Sequence, residues 1–326
     1  PYVPNARYPI LTSRHLSNDY WVNSIGHADL LELADGRWYM VALGIRSEID
    51  TYSNMGRETH LIPVTWEKEP FEWKYDKIEK EWSDLPDRER FEKLRHVNYE
   101  WPVCSPLTGR VERSFPLPFP ASSQVNKESF RDNFDNETLN LEWNFRRVPQ
   151  EGTYLINNKD GYLRLFSSKN VIENRKGCSL LGIRQIETDF EFSVKMLYNP
   201  SIPEVQAGVS LFQKDDNYLT FTIERDREQN IILKLVSKEQ KKVPVVIQQT
   251  FLKSYNDSII FKVFSKNQSY KYYYSLDNST NFNFFAETSF GLLLSKGYTG
   301  AYMGIYSTSN GKNTEEYVDF DWITLE

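Results

Sequence analysis

The sequence predicts an all-β protein whose larger, C-terminal part is a two-sheet β-sandwich. Three observations carry the prediction. Segments of alternating apolar and polar residues recur through residues 127–326, the period that turns one face of a strand to a core and the other to water. Clusters of Asn, Asp, Gly and Ser separate them at short intervals, as in sandwiches. Aromatic residues make up 15% of the 326 residues, and such side chains pack best on a pleated surface.

The first element is a hairpin. Asp35-Gly36 is a tight-turn signal joining Asp29-Leu30-Leu31-Glu32-Leu33 to Arg37-Trp38-Tyr39-Met40-Val41-Ala42-Leu43. The second limb is nearly all apolar, which predicts a hairpin buried on both faces. Another strand is expected over Glu58–Val64. Residues 67–96 then mix ten acidic with eight basic side chains. Asp84-Leu85-Pro86 opens a helix, with Pro near the first turn. This predicts an exposed helical excursion over 75–97, a solvated face to which no role is assigned. Pro102, Pro106, Pro116, Pro118 and Pro120 lead into Ala121-Ser122-Ser123-Gln124, a linker composition. The expected division is therefore 1–121 and 122–326. Beyond it, strands are expected at Phe190–Met196, Tyr218–Ile223, Ile231–Val236, Ile259–Phe264, Tyr270–Leu276, Tyr302–Tyr306 and Val318–Leu325. Asn158-Lys159-Asp160-Gly161, Asp215-Asp216-Asn217 and Asp277-Asn278-Ser279 supply turns.

Composition excludes several classes of function. The formal net charge is −6 and no long basic stretch occurs, which argues against a nucleic-acid surface. No apolar run approaches the roughly 18 residues of a membrane span. Cys104 and Cys178 are far apart and form neither a disulfide framework nor a zinc signature, so both are expected to be free. Pro1-Tyr2-Val3-Pro4 has no signal-peptide character and no initiator Met, so a fragment or processed product is expected. An extracytoplasmic location, periplasmic or secreted, is expected over a cytoplasmic one.

Three runs of sequence are specific when taken together. The first is Gly26-His27-Ala28-Asp29-Leu30 followed by Asp35-Gly36-Arg37-Trp38-Tyr39-Met40. The second is Gly56-Arg57-Glu58-Thr59-His60-Leu61 followed by Pro63-Val64-Thr65-Trp66-Glu67. The third is Trp101-Pro102-Val103 with Gly109-Arg110-Val111 after it. Their order resembles the last blade of the five-bladed β-propeller in family 43 glycoside hydrolases, the β-xylosidases and α-L-arabinofuranosidases. Pro9-Ile10-Leu11-Thr12 is similar to the segment leading into that blade. Phe134-Asp135, Leu141, Trp143 and Phe145-Arg146-Arg147 resemble the opening of the concanavalin-like β-sandwich that follows it. Tyr298-Thr299-Gly300-Ala301-Tyr302-Met303-Gly304-Ile305 and Asp319-Phe320-Asp321-Trp322 are similar to its closing strands. The charged stretch at 67–96 is longer than the resemblance leads one to expect.

The resemblance implies an inverting glycosidase acting on xylan-derived oligosaccharides or arabinose side chains, with no required cofactor. It also implies a departure. In the family the general base, the general acid and an assisting aspartate come from earlier blades, and no residue here matches any of them. No catalytic residue is assigned. The missing N-terminal blades are an expected partner besides the oligosaccharide, and the chain alone is expected to be inactive. The alternative is a non-catalytic, lectin-like carbohydrate-binding module. The sandwich alone would fit it, while the propeller-like runs argue against it.

Two substrate-binding residues follow from the resemblance. The His matching His27 lies near the propeller axis, close to the bound sugar or a central metal ion; a neutral imidazole suits either task. Asp29 is expected to point the same way as His27 on a strand, where it either orients the ring or simply caps the strand. The residue matching Arg57 lies in the active site, where a fixed fork holds a sugar hydroxyl and a carboxylate together. From the residues alone, a lone His beside a strand such as His27 is more often structural, and Arg57 reads as a surface Arg paired with a nearby acid, worth little. Glu58 is expected to pair with a cation or to hold a strand end. Trp38 lies in an apolar strand and is expected in the core. Asp132, Asp135, Asp319 and Asp321 are candidates for an oxygen-rich calcium site, with ordinary turn acids as the competing reading.

Overall fold

The structure, a computed structural model, describes residues 5, 8–47, 53–69, 99–120, 129–156, 161–266, 269–276, 281–289, 293 and 297–326. Residues 1–51 with 57–122 form one compact unit, and residues 52–56 with 123–326 form a second. The expected helical excursion over 75–97 lies outside the described residues, as does the turn at 277–279.

The first unit is a four-stranded antiparallel sheet in chain order: β1 (Val22–Glu32), β2 (Trp38–Arg46), β3 (Arg57–Glu69) and β4 (Tyr99–Cys104). The β1–β2 turn forms where Asp35-Gly36 predicts it. Leu33 and Arg37 close the loop by a backbone bond of 2.8 Å, and Gly36 takes φ +81°, a conformation that costs glycine little. The Asp35 carboxylate accepts from the Arg37 backbone N–H at 3.1 Å and from its guanidinium at 2.9 Å. The apolar character of β2 leaves none of its residues exposed. The expectation of burial on both faces holds for β2 only, because Leu30 and Leu31 of β1 are exposed. The sheet's core gathers Val22, Met40, Ala42, Ile62, Val64, Cys104 and Val111, with Trp38 packed against it. β3 runs past the expected Val64 because its distal half, Val64–Glu69, pairs with β4.

The second unit is a sandwich of two antiparallel sheets. Its strands are β5 (Phe130–Asp132), β6 (Asn144–Phe145), β7 (Tyr154–Ile156), β8 (Leu163–Phe166), β9 (Ser179–Arg184), β10 (Phe190–Leu197), β11 (Gln206–Lys214), β12 (Asn217–Arg225), β13 (Ile231–Lys238), β14 (Val245–Phe251), β15 (Ser258–Lys266), β16 (Ser269–Ser275), β17 (Asn283–Ser289), β18 (Tyr302–Thr308) and β19 (Tyr317–Leu325). One sheet runs β17-β16-β15-β10-β19-β8-β7, with β5 beside β19; the other runs β14-β13-β12-β11-β18-β9-β6. Chain neighbours such as β11–β12 are hairpins, whereas β18 returns between β9 and β11, and β19 between β8 and β10. The N- and C-terminal parts of the unit are thus interleaved in both sheets.

Period-two alternation places the core. Val209, Leu219, Phe221, Ile223, Leu233, Leu235 and Ile305 of one sheet face Leu163, Leu165, Val194, Phe261, Val263, Tyr272 and Phe320 of the other, all essentially solvent-free. Phe221 of β12 knits the sheets together. Its ring lies 4.9 Å from Phe261, 5.1 Å from Phe285 and 5.6 Å from Tyr272, each on the opposite sheet. Burying a ring of this size stabilises the fold by about 1.5–3 kcal/mol, before about 0.5–1.5 kcal/mol for the aromatic pairing.

Candidate functional site

The two sequence-predicted binding residues lie in the first unit. β1 pairs with β2 through Asn23↔Ile45, Gly26↔Leu43 and Asp29↔Val41, and the register slips by one residue in each interval. The two bulges fall at Ser24 and His27, whose φ values are +54° and +48°. A bulge bends the strand and re-aims the side chain at the extra residue. His27 is exposed there. The alternation argument for Asp29 does not survive this geometry, because a period of two cannot be carried across an inserted residue. Nothing in the sequence announces the bulges; Gly26 is the nearest cue.

Arg57 opens β3, opposite Ile45, and is partly buried. Since Ile45 also faces Asn23, Arg57 lies in the row at the start of β1, and His27 follows in the same half of the sheet. The topology therefore brings the two residues toward one end of the sheet on strands separated by β2. Glu58, next to Arg57, pairs with Arg46: the Arg46 Nε donates to its carboxylate at 3.0 Å, and a second guanidinium nitrogen completes the fork. Glu58 is thus an ion-pair partner, as expected.

His60 is a residue to which sequence reasoning assigned nothing. It faces Ala42 on β2, its ring meets the Trp21 edge at 5.6 Å, and its Nε2 is buried without a hydrogen-bond partner. Burial pushes its pKa below the ordinary histidine value, more than the nearby Glu58 charge raises it. Gly44 makes room for the ring, since a Cβ there would lie 2.9 Å from His60 Nε2. The signal lay in cross-strand pairing, which local sequence does not display. Cys104 of the same core is likewise pushed up to about 11 by burial and lies 3.8 Å from Met40 Sδ.

The proposed oxygen-rich cluster does not assemble. Both oxygens of buried Asp132 accept hydrogen bonds at 2.8 Å, one from the Phe134 backbone and one from Trp143 Nε1. Asp319 forks with Arg164 at 2.8 and 2.9 Å, and Asp321 pairs with Lys195 at 2.7 Å. Among the described residues no group of three His, Cys, Asp or Glu side chains is arranged to hold a metal ion. No helix among the described residues is long and apolar enough to cross a membrane.

Comparison with known proteins finds two family models along the chain. Residues 131–326 match the β-xylosidase C-terminal concanavalin A-like domain, and residues 1–71 match glycosyl hydrolases family 43. A non-reducing end α-L-arabinofuranosidase of Bacteroides ovatus is 26% identical over 99% of this chain and 54% of its own length. A xylosidase/arabinosidase of Butyrivibrio fibrisolvens is 28% identical over 98% of this chain and 56% of its own. The chain thus spans about half the length of these relatives. Among solved structures, family 43 protein B of a Bacteroides ovatus xyloglucan locus superposes with a TM-score of 0.82 at 26% identity, over all of this chain and 58% of that one. A xylan β-1,4-xylosidase from Bacillus halodurans, at 18% identity, gives a TM-score of 0.82 over 57% of its chain and shares the fold. The match of residues 131–326 to the β-xylosidase C-terminal domain, with residues 1–71 matching the glycosyl hydrolase model, shows that this chain belongs to glycosyl hydrolase family 43.

Proposed function

We propose that this chain is the C-terminal portion of an exo-acting glycosidase that removes xylose or arabinose units from xylan-derived oligosaccharides. The supporting observation is the bulged strand that presents His27 in the same half of the sheet as Arg57, in a chain whose relatives carry arabinofuranosidase and xylosidase names. In this reading His27 and Arg57 form one wall of the sugar pocket. An inverting reaction of this kind needs a general acid and a general base about 6.5–9.5 Å apart, leaving space for the attacking water, and no residue of this chain is assigned to either role. Arg57 contributes a permanent charge and a planar fork, suited to holding a sugar hydroxyl and fixing a neighbouring carboxylate. His27 contributes an imidazole that can donate or accept a hydrogen bond. The protein acts outside the cytoplasm, where such glycans are met.

The test is kinetic. In the polypeptide that includes the blades upstream of Pro1, Arg57→Ala should lower kcat/KM on aryl α-L-arabinofuranoside or aryl β-xyloside by about 100-fold, with little change in Tm. The 326-residue chain alone should turn over neither substrate. A near-wild-type rate for Arg57→Ala would return Arg57 to a surface ion pair. Turnover by the pure 326-residue chain would overturn the placement of the catalytic acids.

A further inference from the structure

The sandwich unit carries a cleft of about 730 Å³, within the size range of small-molecule sites. Three loops wall it: residues 149–153, residues 166–170 with 176–179, and residues 312–314. The walls are built before any ligand arrives. Phe166 N–H donates to the Thr153 carbonyl at 3.0 Å, Ser309 N–H to Ser168 at 2.8 Å, and Gly311 N–H to Lys169 at 2.9 Å. The Asn170 amide bonds the Gly177 carbonyl at 2.7 Å, and buried Arg146 holds the Lys176 carbonyl at 2.7 Å. A preformed site loses little ordering entropy on binding.

The lining chemistry is that of a sugar site with a charge. Gln150, Ser168, Asn170, Asn313 and Thr314 offer hydroxyls and amides, and Phe166 offers a partly buried ring seated on the edge of Tyr317. The Asn170–Gly177 clamp draws the backbones at Lys169 and Lys176 together. Both lysines are exposed and have no carboxylate within ion-pair distance among the described residues. The third lysine of the cleft, Lys312, is already engaged by Glu204 at 3.1 Å and by the Pro203 carbonyl. Glu151 is the acid on the lining. Two uncommitted ammonium groups over a hydroxyl- and amide-rich cleft select an anion that is itself rich in hydroxyls.

We propose that this cleft binds an acidic oligosaccharide, a pentose chain bearing a uronic-acid substituent whose carboxylate sits between Lys169 and Lys176 while the sugar hydroxyls meet the amide and hydroxyl lining. The choice of a pentose chain rests on the glycosidase reading; the charge and polarity of the site do not.

Calorimetric or NMR titration of the 326-residue chain tests this without any turnover. The probes are a glucuronic-acid-substituted xylotriose, unsubstituted xylotriose, and sodium sulfate. The acidic sugar should bind at least about 10-fold more tightly than xylotriose, and the advantage should shrink toward about 0.5 M NaCl as the charges are screened. The double variant K169Q/K176Q should lose about 10-fold in affinity for the acidic sugar, as for two exposed charge contacts, and keep the wild-type Tm. Thr314→Trp, which fills the cleft from the opposite wall, should weaken both sugars. Equal affinity for both sugars, unchanged binding by K169Q/K176Q, or no binding of the acidic sugar at about 10 mM, a very weak limit, would overturn the proposal. So would sulfate binding as tightly as the acidic sugar, which would mark an adventitious anion site. Loss of the glycosidase reading in the kinetic test would leave a positive titration standing, and a failed titration would leave the kinetic reading standing.

Discussion

Asp132 spends both carboxylate oxygens inside the fold, and its neighbours show what that secures. Phe134 is fully buried at φ +58°, a conformation uncommon for a bulky side chain, and its N–H has the Asp132 carboxylate as acceptor. Trp143 stacks on Phe134 with ring centroids 6.0 Å apart and gives its indole N–H to the other oxygen. Asp132→Ala would strand two buried donors, each worth about 1–3 kcal/mol, so chemical denaturation should show a loss of about 2–5 kcal/mol. Asp132→Asn keeps one acceptor and should fall between; an Asn variant as unstable as Ala would contradict the two-bond account. A second residue-scale effect is pH-dependent. His60 titrates below its ordinary value of 6.5 in the folded state because it is buried. Between the two values the unfolded chain binds more protons, so its contribution to stability is full above about pH 6.5 and is lost as pH falls. Asp35, Glu112, Glu204 and Asp226 are held low, chiefly by hydrogen bonds from Arg37, Arg110, Lys312 and Asn230, and lose their contribution only below about pH 4.5. Tm should therefore decline between pH 6.5 and 5, and His60→Phe should flatten that decline. An unaltered slope in His60→Phe would assign the loss elsewhere.

At the scale of elements, close backbone approach sets the strictest demands. Gly182 of β9 and Gly304 of β18 are direct cross-strand partners. A Cβ at Gly304 would stand 2.1 Å from the Leu181 carbonyl oxygen, and that oxygen belongs to a central ladder that cannot step aside. Gly304→Ala should cost about 3 kcal/mol or more, as a backbone clash in a core strand does, whereas Gly36→Ala in the exposed turn should cost about 1 kcal/mol. Comparable melting points for the two variants would refute the distinction. The strands legible in the sequence, β10, β12, β13, β15, β16, β18 and β19, are those whose side chains alternate cleanly against a deep core. β11 and β9 escaped the pattern because glycine and serine occupy one face, as at Gly208, Ser210 and Gly182. β14 escaped it because it is an edge strand with exposed Val245, Val246 and Phe251, so no buried face imposes a period. The order of strands within each sheet was not legible, since β18 and β19 find partners far away in sequence. His27 and Arg57 were legible only through motif resemblance. The bulge that sets His27 apart follows from register, which no local window contains.

The whole molecule divides unequally. The sandwich has a continuous two-sheet core, while the four-stranded sheet leaves Leu30, Leu31, Leu61 and Trp66 exposed. That difference predicts that the first unit, expressed without the rest of the chain, should aggregate or fail to melt cooperatively. A cooperative thermal transition from isolated residues 1–121 would contradict this.

Residues 53–56 are counted with the sandwich although they precede β3, and their contacts are made inside it. The Asn54 amide donates to the Tyr270 hydroxyl at 2.7 Å, its carbonyl accepts from Ala301 N–H at 2.6 Å, and the Met55 carbonyl accepts from Arg184 at 3.1 Å. Gly56, at φ +66°, comes so near Gly300 that a Cβ would lie 2.4 Å from its nitrogen. The sandwich is consequently not a cassette. Cutting the gene at the Ser-rich linker would deliver a module lacking the plug of residues 53–56, with Tyr270, Ala301 and Arg184 missing acceptors or donors. The excised 123–326 piece should melt below the intact chain, and a synthetic peptide spanning residues 50–58 should bind it and restore part of the difference. Recombination between relatives, in the laboratory or in evolution, would have to exchange that plug together with the sandwich, two stretches some seventy residues apart.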